Sequence, residues 1–281
     1  WSDLLSMPEE ELRPWWYNYK KLLTLGTVLL SLDIIFWLLI LAAPKSGQLA
    51  LYFLNVGQGD SQLIVLPEGQ KILIDAGPDS RVLENLAAIF GPGDRYIDLL
   101  VMTHPELDHF GGFIDIFKHF QVGAFISTGI SRQNSSFVAL TTELERTQTK
   151  QIRFSEGDQI QIAEYSFKIL APSKSELRSK EINDTGIVVL FRAPDFKALY
   201  TADIGFSGEN RLLKDYDLDA DILKVGHHGS KFSSGSTFLQ EVSPQIAVIG
   251  VGKNSYGHPT ALALDRLAAL TQYVFRTDRQ G

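Results

Sequence analysis

Four apolar segments of the sequence each lead into histidine or acidic residues, and this repeated pattern constrains the fold more than any other feature. Residues 72–74 lead into Asp75, and residues 99–102 lead into a run of histidines and acids. Residues 199–201 and 222–225 are followed by the same residue types. In α/β proteins, functional sites are built from the loops that follow buried strands. The pattern therefore predicts an α/β fold with a polar site at the strand ends.

The length of 281 residues fits one large α/β domain and a short appendage. From residue 48, hairpin-like strands come first and alternating strands and helices follow, a pattern that suits two sheets sandwiched between helices. The sequence begins at Trp1 and stops directly after the strand-like residues 273–275. We therefore expect an excerpt of a longer protein, with a domain over 48–281 that is truncated at its C-terminus.

The segment ahead of this domain is almost wholly apolar from residue 22 to residue 43. A helix of that length reaches about 33 Å, enough to cross a hydrocarbon core of ~30 Å, so we predict a transmembrane helix over 22–43 and a juxtamembrane segment over 1–21. More basic residues precede the segment than follow it, which predicts that the domain lies on the outer face. Asp33 is costly in lipid and predicts contact with other transmembrane helices.

The composition restricts the chemistry. Because the chain has no cysteine, disulfides, thiolate metal ligands and a cysteine nucleophile are excluded, and any metal depends on histidines and carboxylates. The formal net charge of −7 argues against tight binding of nucleic acid, since duplex-binding proteins normally present a basic stripe to the phosphates.

The most specific motif covers residues 103–112 and follows an apolar strand. It places four candidate metal ligands within six residues: His104, Glu106, Asp108 and His109. A strand end that becomes a loop can arrange such side chains around a pair of cations, and the glycines at 111 and 112 let the next helix begin close to them. A polar turn does not need two histidines and two acids.

Three further positions repeat the pattern. Asp203 follows one apolar strand, and the pair His227 and His228 follows another. Asp203 alone would be read as a helix cap or turn residue, but beside the other motifs it is a candidate to bridge two metals. Asp75 is expected to orient a ligand from behind. His119 lies inside a helical pattern and is expected to be an ordinary polar helix residue.

These motifs resemble the metallo-β-lactamase superfamily, and more narrowly the C-terminal hydrolase domain of ComEC-type DNA-uptake (competence) channel proteins. The narrower resemblance rests on residues 55–61 (Asn-Val-Gly-Gln-Gly-Asp-Ser), 104–112, 223–230, 256–259 (Tyr-Gly-His-Pro) and 276–278 (Arg-Thr-Asp). It implies an αββα sandwich that follows a bundle of transmembrane helices, the last of them 22–43. It also implies a multi-pass protein of the bacterial cell membrane, with other channel helices and the DNA-uptake machinery as partners.

The resemblance also implies a site with two divalent ions. One ion would be held by His104 and Glu106. The other would be held by Asp108, His109 and a histidine of the 227–228 pair, with Asp203 between the two ions. His228 is preferred over His227 because it directly precedes glycine, as in related motifs of the superfamily, but His227 stays open.

Two departures from the superfamily pattern concern the first ion. Glu106 stands where the pattern His-x-His-x-Asp-His has its second histidine, and this oxygen ligand shifts the expected metal from zinc toward manganese. Asn183 and Asp184 align with the third motif, which is normally a histidine; either of them could reach the metal, or water could fill the gap.

By this resemblance the chain would be a phosphodiesterase that hydrolyses one strand of incoming DNA, which it binds weakly, with water activated by the two ions. Asp108 is expected to be essential, and His258 is a candidate for phosphate contact or leaving-group protonation, although it could simply cap the helix that starts after Pro259. The alternatives are a hydrolase of another ester, such as a phosphorylcholine ester, a lactam or a lactone, and a non-catalytic domain that metals brace.

Overall fold

The computed structural model describes the backbone of residues 15–42 and 47–280, with the side chains of 19–37 and 47–280. Contacts between residues divide the chain into two compact units, Trp1–Gly47 and Gln48–Gly281. Each unit is described by itself.

The first unit contains helix α1, Trp15–Ala42. In the part of the chain that the structure describes, no helix combines the length and the apolar character needed to cross a membrane. The prediction of a transmembrane helix over 22–43 is therefore not supported, nor is a multi-pass arrangement with the domain on the outer face. The side chains of residues 38–42 of this helix lie outside the described part of the chain. Residue 43 and the juxtamembrane residues 1–14 lie outside the described residues.

The first sheet has six strands in chain order: β1 (Ala50–Phe53), β2 (Gln62–Val65), β3 (Lys71–Ile74), β4 (Tyr96–Val101), β5 (Gln121–Ser127) and β6 (Lys150–Arg153). The first three strands pair antiparallel and the rest pair parallel. Parallel neighbours need crossover connections. These are the helices α2 (Arg81–Ile89), α3 (Leu107–His119) and α4 (Ser135–Thr147).

The second sheet has seven strands, also in chain order: β7 (Gln159–Ile162), β8 (Tyr165–Ala171), β9 (Val188–Arg192), β10 (Lys197–Tyr200), β11 (Ile222–Lys224), β12 (Ile246–Ile249) and β13 (Tyr273–Arg276). Strands β7 to β10 pair antiparallel, and β10 to β13 pair parallel. Their crossovers are α5 (Phe206–Asp215), α6 (Ser236–Val242) and α7 (Ala261–Leu270), and a short helix α8 (Thr277–Gln280) follows β13.

Three apolar clusters hold these layers together. One lies between the two sheets and includes Ile72 and Phe191. A second packs α2, α3 and α4 on the first sheet, with Phe113 among its buried members, and a third packs α5, α6 and α7 on the second sheet around Leu223. The predicted arrangement of two sheets between helices is confirmed.

The sequence pattern did not indicate the short helix α8 or three further elements. Strands β6 (Lys-Gln-Ile-Arg) and β7 (Gln-Ile-Gln-Ile) lie at the edges of their sheets and carry mostly polar, exposed side chains. Helix α5 is rich in polar residues and buries only part of one side. Each element contributes few residues to the core, so its hydrophobic pattern is weak.

Candidate metal centre

Four buried side chains from separate loops converge at the ends of the parallel strands. They are Asp60, His109, Asp203 and His228, and their possible ligand atoms all lie within 4.8 Å of one another. Asp203 follows β10 and His228 follows β11, whereas His109 lies in the first turn of α3 and Asp60 precedes β2. Strand ends of both sheets therefore supply one group of histidines and carboxylates.

The centre of this group is the carboxylate of Asp203. Its Oδ2 lies 3.4 Å from the Nε2 of His109 and 3.4 Å from the Nε2 of His228. Asp108 joins the group, with its Oδ2 3.2 Å from the Nε2 of His228. We call His109, Asp203 and His228 the inner group. All three side chains are nearly inaccessible to solvent.

A second set of side chains, which we call the outer group, consists of His104, Glu106 and Asn183. The Nε2 of His104 lies 3.8 Å from the Oε2 of Glu106, and the ring of His104 is 4.1 Å from that of His109, centroid to centroid. Contact with His104 lowers the pKa of the Glu106 carboxyl, so this group is ionised.

The three imidazoles of His104, His109 and His228 share one hydrogen-bonding arrangement. In each ring Nδ1 donates a hydrogen bond: to Thr103 Oγ1 at 3.0 Å, to Asp75 Oδ2 at 2.8 Å and to Gly250 O at 2.8 Å, respectively. Within the described residues, the three Nε2 atoms are buried and have no hydrogen-bond partner. A buried nitrogen without a partner is costly, and histidines that bind metal normally donate their other ring nitrogen in this way. The side chains therefore fit divalent metal ions.

Asp75 fixes two members of the site at once. Its Oδ1 accepts a hydrogen bond from the Thr103 amide and its Oδ2 from the Thr103 hydroxyl, both at 2.8 Å. The same Oδ2 accepts from His109, and Thr103 in turn accepts from His104. One carboxylate behind the rings thus orients a histidine of each group.

Asp60 also lies behind the rings. Its Oδ1 is 3.4 Å from the Nδ1 of His228 and its Oδ2 is 4.0 Å from the Nδ1 of His109, so it faces the nitrogens that already have partners. Its carboxylate forms an ion pair with Lys224, whose Nζ is also 4.0 Å from Asp203 Oδ1. Lys224 and Asp60 are both about 1% exposed. We therefore regard Asp60 as a support of the imidazoles rather than as a ligand beside their Nε2 atoms.

The electrostatics of the inner group favour cations. Burial opposes a charge on His228, but the carboxylates of Asp203 and Asp60 outweigh it and raise the pKa of His228 to about 10. The pKa of His109 is raised well above its usual value against the same effect of burial, because Asp203 and Asp75 are close. Burial disfavours the Asp203 carboxylate, yet the charges of His228, His109 and Lys224 hold its pKa well below the usual range.

Asn183 and Asp184 differ in their surroundings. Asn183 Oδ1 is buried and, among the residues described, finds no hydrogen-bond partner, whereas Asp184 Oδ2 accepts a hydrogen bond from Ser179 Oγ at 3.0 Å. The turn that carries both residues, Ile182–Thr185, leads into Gly186, where an added Cβ would lie 3.1 Å from Ala202 Cβ and 3.9 Å from the Asp203 amide nitrogen. Of the two residues, Asn183 therefore has the side-chain oxygen without a partner, on a turn whose end approaches Ala202 and Asp203.

His227 is not part of the inner group. Its ring lies 5.5 Å from that of His258, and both are partly exposed at the entrance to the site. Arg132 lies at the entrance as well, with a guanidinium nitrogen 3.7 Å from Glu106 Oε1. His119 is the C-terminal residue of α3, where its Nδ1 donates to the carbonyl of Asp115.

Backbone strain and close approaches concentrate at this site. Asp75, Ala202, His227 and His228 all have positive φ, a conformation that non-glycine residues adopt at a cost. At Gly111 any Cβ would collide with the backbone of Pro78 in the loop after Asp75. The absence of a side chain there lets α3 begin beside that loop, which brings His109 within reach of Asp75.

Sequence reasoning did not assign Asp60, Lys224 or Arg132 to the site. Asp60 and Lys224 belong to motifs that carried the family resemblance, and a lysine inside the apolar strand β11 is itself a signal, because lysine is almost never buried without a partner. No comparable signal identifies Arg132, whose position depends on how the loop after β5 folds.

Comparisons with known proteins agree with this geometry. ComE operon protein 3 of Bacillus subtilis is 30% identical over 251 residues, which cover 81% of this chain and 32% of that protein. Competence protein ComA of Neisseria gonorrhoeae is 30% identical over 245 residues, covering 85% of this chain and 32% of that protein. The chain thus spans about a third of the length of these relatives, and its resemblance to ComEC-type competence proteins is confirmed.

Solved structures support the fold. The metallo-beta-lactamase fold protein YhfI of Bacillus subtilis superposes with a TM-score of 0.53 over 78% of this chain and 87% of that chain, at 12% identity. The Metallo-beta-lactamase superfamily itself matches residues 54–253, a stretch that contains Asp60, the histidine motif after β4, Asp203 and His228. The chain therefore belongs to the metallo-β-lactamase superfamily.

Proposed function

We propose that this chain is a metal-dependent phosphodiesterase that hydrolyses DNA with the help of two divalent ions. The observation that carries the proposal is the set of three buried imidazoles, His104, His109 and His228, whose Nε2 atoms are free while every Nδ1 is anchored. The family resemblance to DNA-uptake proteins points to DNA as the phosphodiester. The proposed place of the reaction is a DNA-uptake system, with its other components as partners.

The inner group would hold one ion together with Asp108, and the outer group would hold the other. Asp203, which contacts both imidazoles of the inner group, would lie between the two ions. Divalent ions at such a site lower the pKa of bound water and neutralise charge on a phosphoryl oxygen. Asp75 and Asp60 keep the imidazoles oriented from behind, and Lys224 offsets part of the carboxylate charge.

Two residues at the entrance are placed to act on the substrate. His258 Nδ1 is buried and, in the described part of the chain, has no hydrogen-bond partner. We propose that it contacts the phosphate or gives a proton to the leaving oxygen. Arg132, at the Glu106 side, presents a guanidinium that suits a phosphate oxygen.

The ligand chemistry favours manganese over zinc for the outer ion. Glu106 and Asn183 offer oxygen atoms where the superfamily pattern has histidines, and oxygen ligands suit manganese or magnesium better than zinc. The net charge of −7 argues that DNA is bound weakly, as a single strand delivered to the site rather than captured from solution.

The decisive experiment strips the protein of metal and then adds Mn²⁺ or Zn²⁺ separately. Each form is assayed with single-stranded DNA, duplex DNA, a phosphorylcholine ester, a β-lactam and a lactone. We expect cleavage of DNA, faster with Mn²⁺, and its loss in Asp108→Ala. Preferential hydrolysis of one of the other compounds would show that the substrate is that compound class rather than DNA. Tight metal binding without hydrolysis of any of these would indicate a domain that metals only brace.

A further inference from the structure

The rings at the entrance of the site form a continuous row that leads from the inner group to solvent. His228 is followed by His227 at 6.3 Å, by His258 at a further 5.5 Å and by Tyr256 at a further 5.9 Å, each measured between ring centroids. The planes of Tyr256 and His258 are tilted by only 31°. Tyr256 is 73% exposed, more than is usual for a tyrosine.

The loop that carries Tyr256 is held in place by hydrogen bonds. Asn254 donates through Nδ2 to the carbonyls of Gly252 and His258, both at 2.8 Å, and its Oδ1 accepts from the His258 amide at 3.0 Å. The Gly252 amide donates to Gln58 Oε1 at 3.3 Å, which ties the loop to the turn before Asp60. The exposed ring is therefore presented by an ordered loop.

We infer that His227, His258 and Tyr256 form a subsite for an unpaired nucleotide next to the reacting phosphate, with its base stacked on Tyr256. The inference rests on the proposed function and deepens it, because it specifies a single strand. A base inside a duplex is already stacked and paired, whereas an unpaired base can lie on an exposed aromatic ring. Aromatic platforms of this kind bind single strands with little regard to sequence.

The row of rings also explains how a strand could be bound with so little positive charge. Arg132 lies at the Glu106 side of the site and the rings lie at the His228 side, so a strand that crosses the site would contact the guanidinium of Arg132 and then the rings. Stacking does not depend on phosphate charge, so it offsets part of the repulsion expected from a net charge of −7.

The test uses single-stranded oligonucleotides in which one nucleotide at a time lacks its base. The wild-type protein with Mn²⁺ should lose activity when the missing base is next to the cleaved phosphate on one side, with KM raised about 10-fold, the order that base stacking contributes. Tyr256→Ala should raise KM by a similar factor on the complete strand and should no longer respond to that missing base. Tyr256→Phe should behave as wild type.

The matched control is Tyr273→Ala, which removes an exposed tyrosine at the opposite end of a strand from the site. It should leave KM and kcat unchanged. If Tyr256→Ala cleaves every oligonucleotide as wild type does, the subsite does not exist.

Fluorescence anisotropy measures the binding of a fluorescein-labelled single strand. This measurement distinguishes a failure of the proposed subsite from a failure of the proposed phosphodiesterase activity. Tyr256-dependent binding by a wild-type protein that cleaves no DNA would overturn the phosphodiesterase and support the subsite. Equal binding by wild type and Tyr256→Ala would overturn the subsite whatever the cleavage result.

Discussion

The inner and outer groups of the metal centre differ in burial, in the distances between their side chains and in the residues that support them. His109, Asp203 and His228 are buried, and Asp203 Oδ2 lies 3.4 Å from the Nε2 of each histidine. The carboxylates of Asp75 and Asp60 and the buried Lys224 support this group from behind. In the outer group, the Nε2 of His104 and the Oε2 of Glu106 are 3.8 Å apart, and the Glu106 side chain is 33% exposed. The residues that hydrogen-bond to metal ligands from behind determine how firmly those ligands are oriented. The inner group should therefore hold its ion more tightly, and the outer ion should exchange.

The largest expected effect comes from removing Asp203, which we propose lies between the two ions. Asp203→Ala should lower the rate of hydrolysis at least about 1,000-fold and reduce the bound metal to one ion or fewer, because the carboxylate that would hold both ions is lost. Metal analysis and single-strand cleavage measure both effects. Asp219→Ala, at an exposed ion pair with Lys197, is the control and should be neutral. Two tightly bound ions in the Asp203 variant would contradict the proposed role of Asp203 in metal binding.

The buried support of the inner group gives the next effect. Lys224→Met leaves the Asp60 carboxylate buried without its partner, so the free energy of unfolding of the metal-free protein should fall by about 3–5 kcal/mol. Urea unfolding measures this change. Asp60→Asn combined with Lys224→Met should recover much of the loss, because no unpaired charge remains. Lys197→Met, which breaks an exposed pair, should cost at most about 1 kcal/mol. If both lysine variants lost the same free energy of unfolding, the buried Asp60–Lys224 pair would contribute no more to stability than an exposed pair.

The two ions should also differ in their dependence on pH. Because the pKa values of His109 and His228 are raised, both imidazoles are protonated at neutral pH without metal and must release protons to the solvent when an ion binds. The affinity for the inner ion should therefore rise with pH, by about 10-fold per unit for the proton released by His228 up to about pH 10, and further where His109 also releases its proton. Glu106, whose pKa is lowered, has no proton to release. Calorimetry in buffers of different ionisation enthalpy measures these protons, and equal proton release for both ions would contradict the comparison.

The smallest effect concerns metal choice. Glu106→His restores the histidine of the superfamily pattern in the outer group and should raise the affinity for Zn²⁺ relative to Mn²⁺ by about 10-fold. Competition between the two metals measures the ratio. His119→Glu, at the far end of α3, is the control and should leave the ratio unchanged.

The sequence predicted much of this centre because the strand-then-acid pattern depends on local residues. Asp75 follows β3 directly, His104 and Asp203 each lie three residues beyond the end of a strand, and the two-sheet arrangement follows from the same strands. Asp60 was not assigned because its partner, Lys224, is 164 positions away, and only the folded chain brings them together. The same is true of Arg132 beside Glu106. The transmembrane prediction for the apolar segment 22–43 is not supported within the described residues.

The most direct test of the account is a crystal structure of the protein soaked with Mn²⁺, with anomalous maps that locate the ions. We predict two ions about 3.5–4 Å apart on either side of Asp203, one beside the Nε2 atoms of His109 and His228 and one beside the Nε2 of His104 and the carboxylate of Glu106. Full occupancy of the first position at a concentration that only partly fills the second would agree with the comparison. Ions bound elsewhere, or none near Asp203 at saturating Mn²⁺, would contradict it.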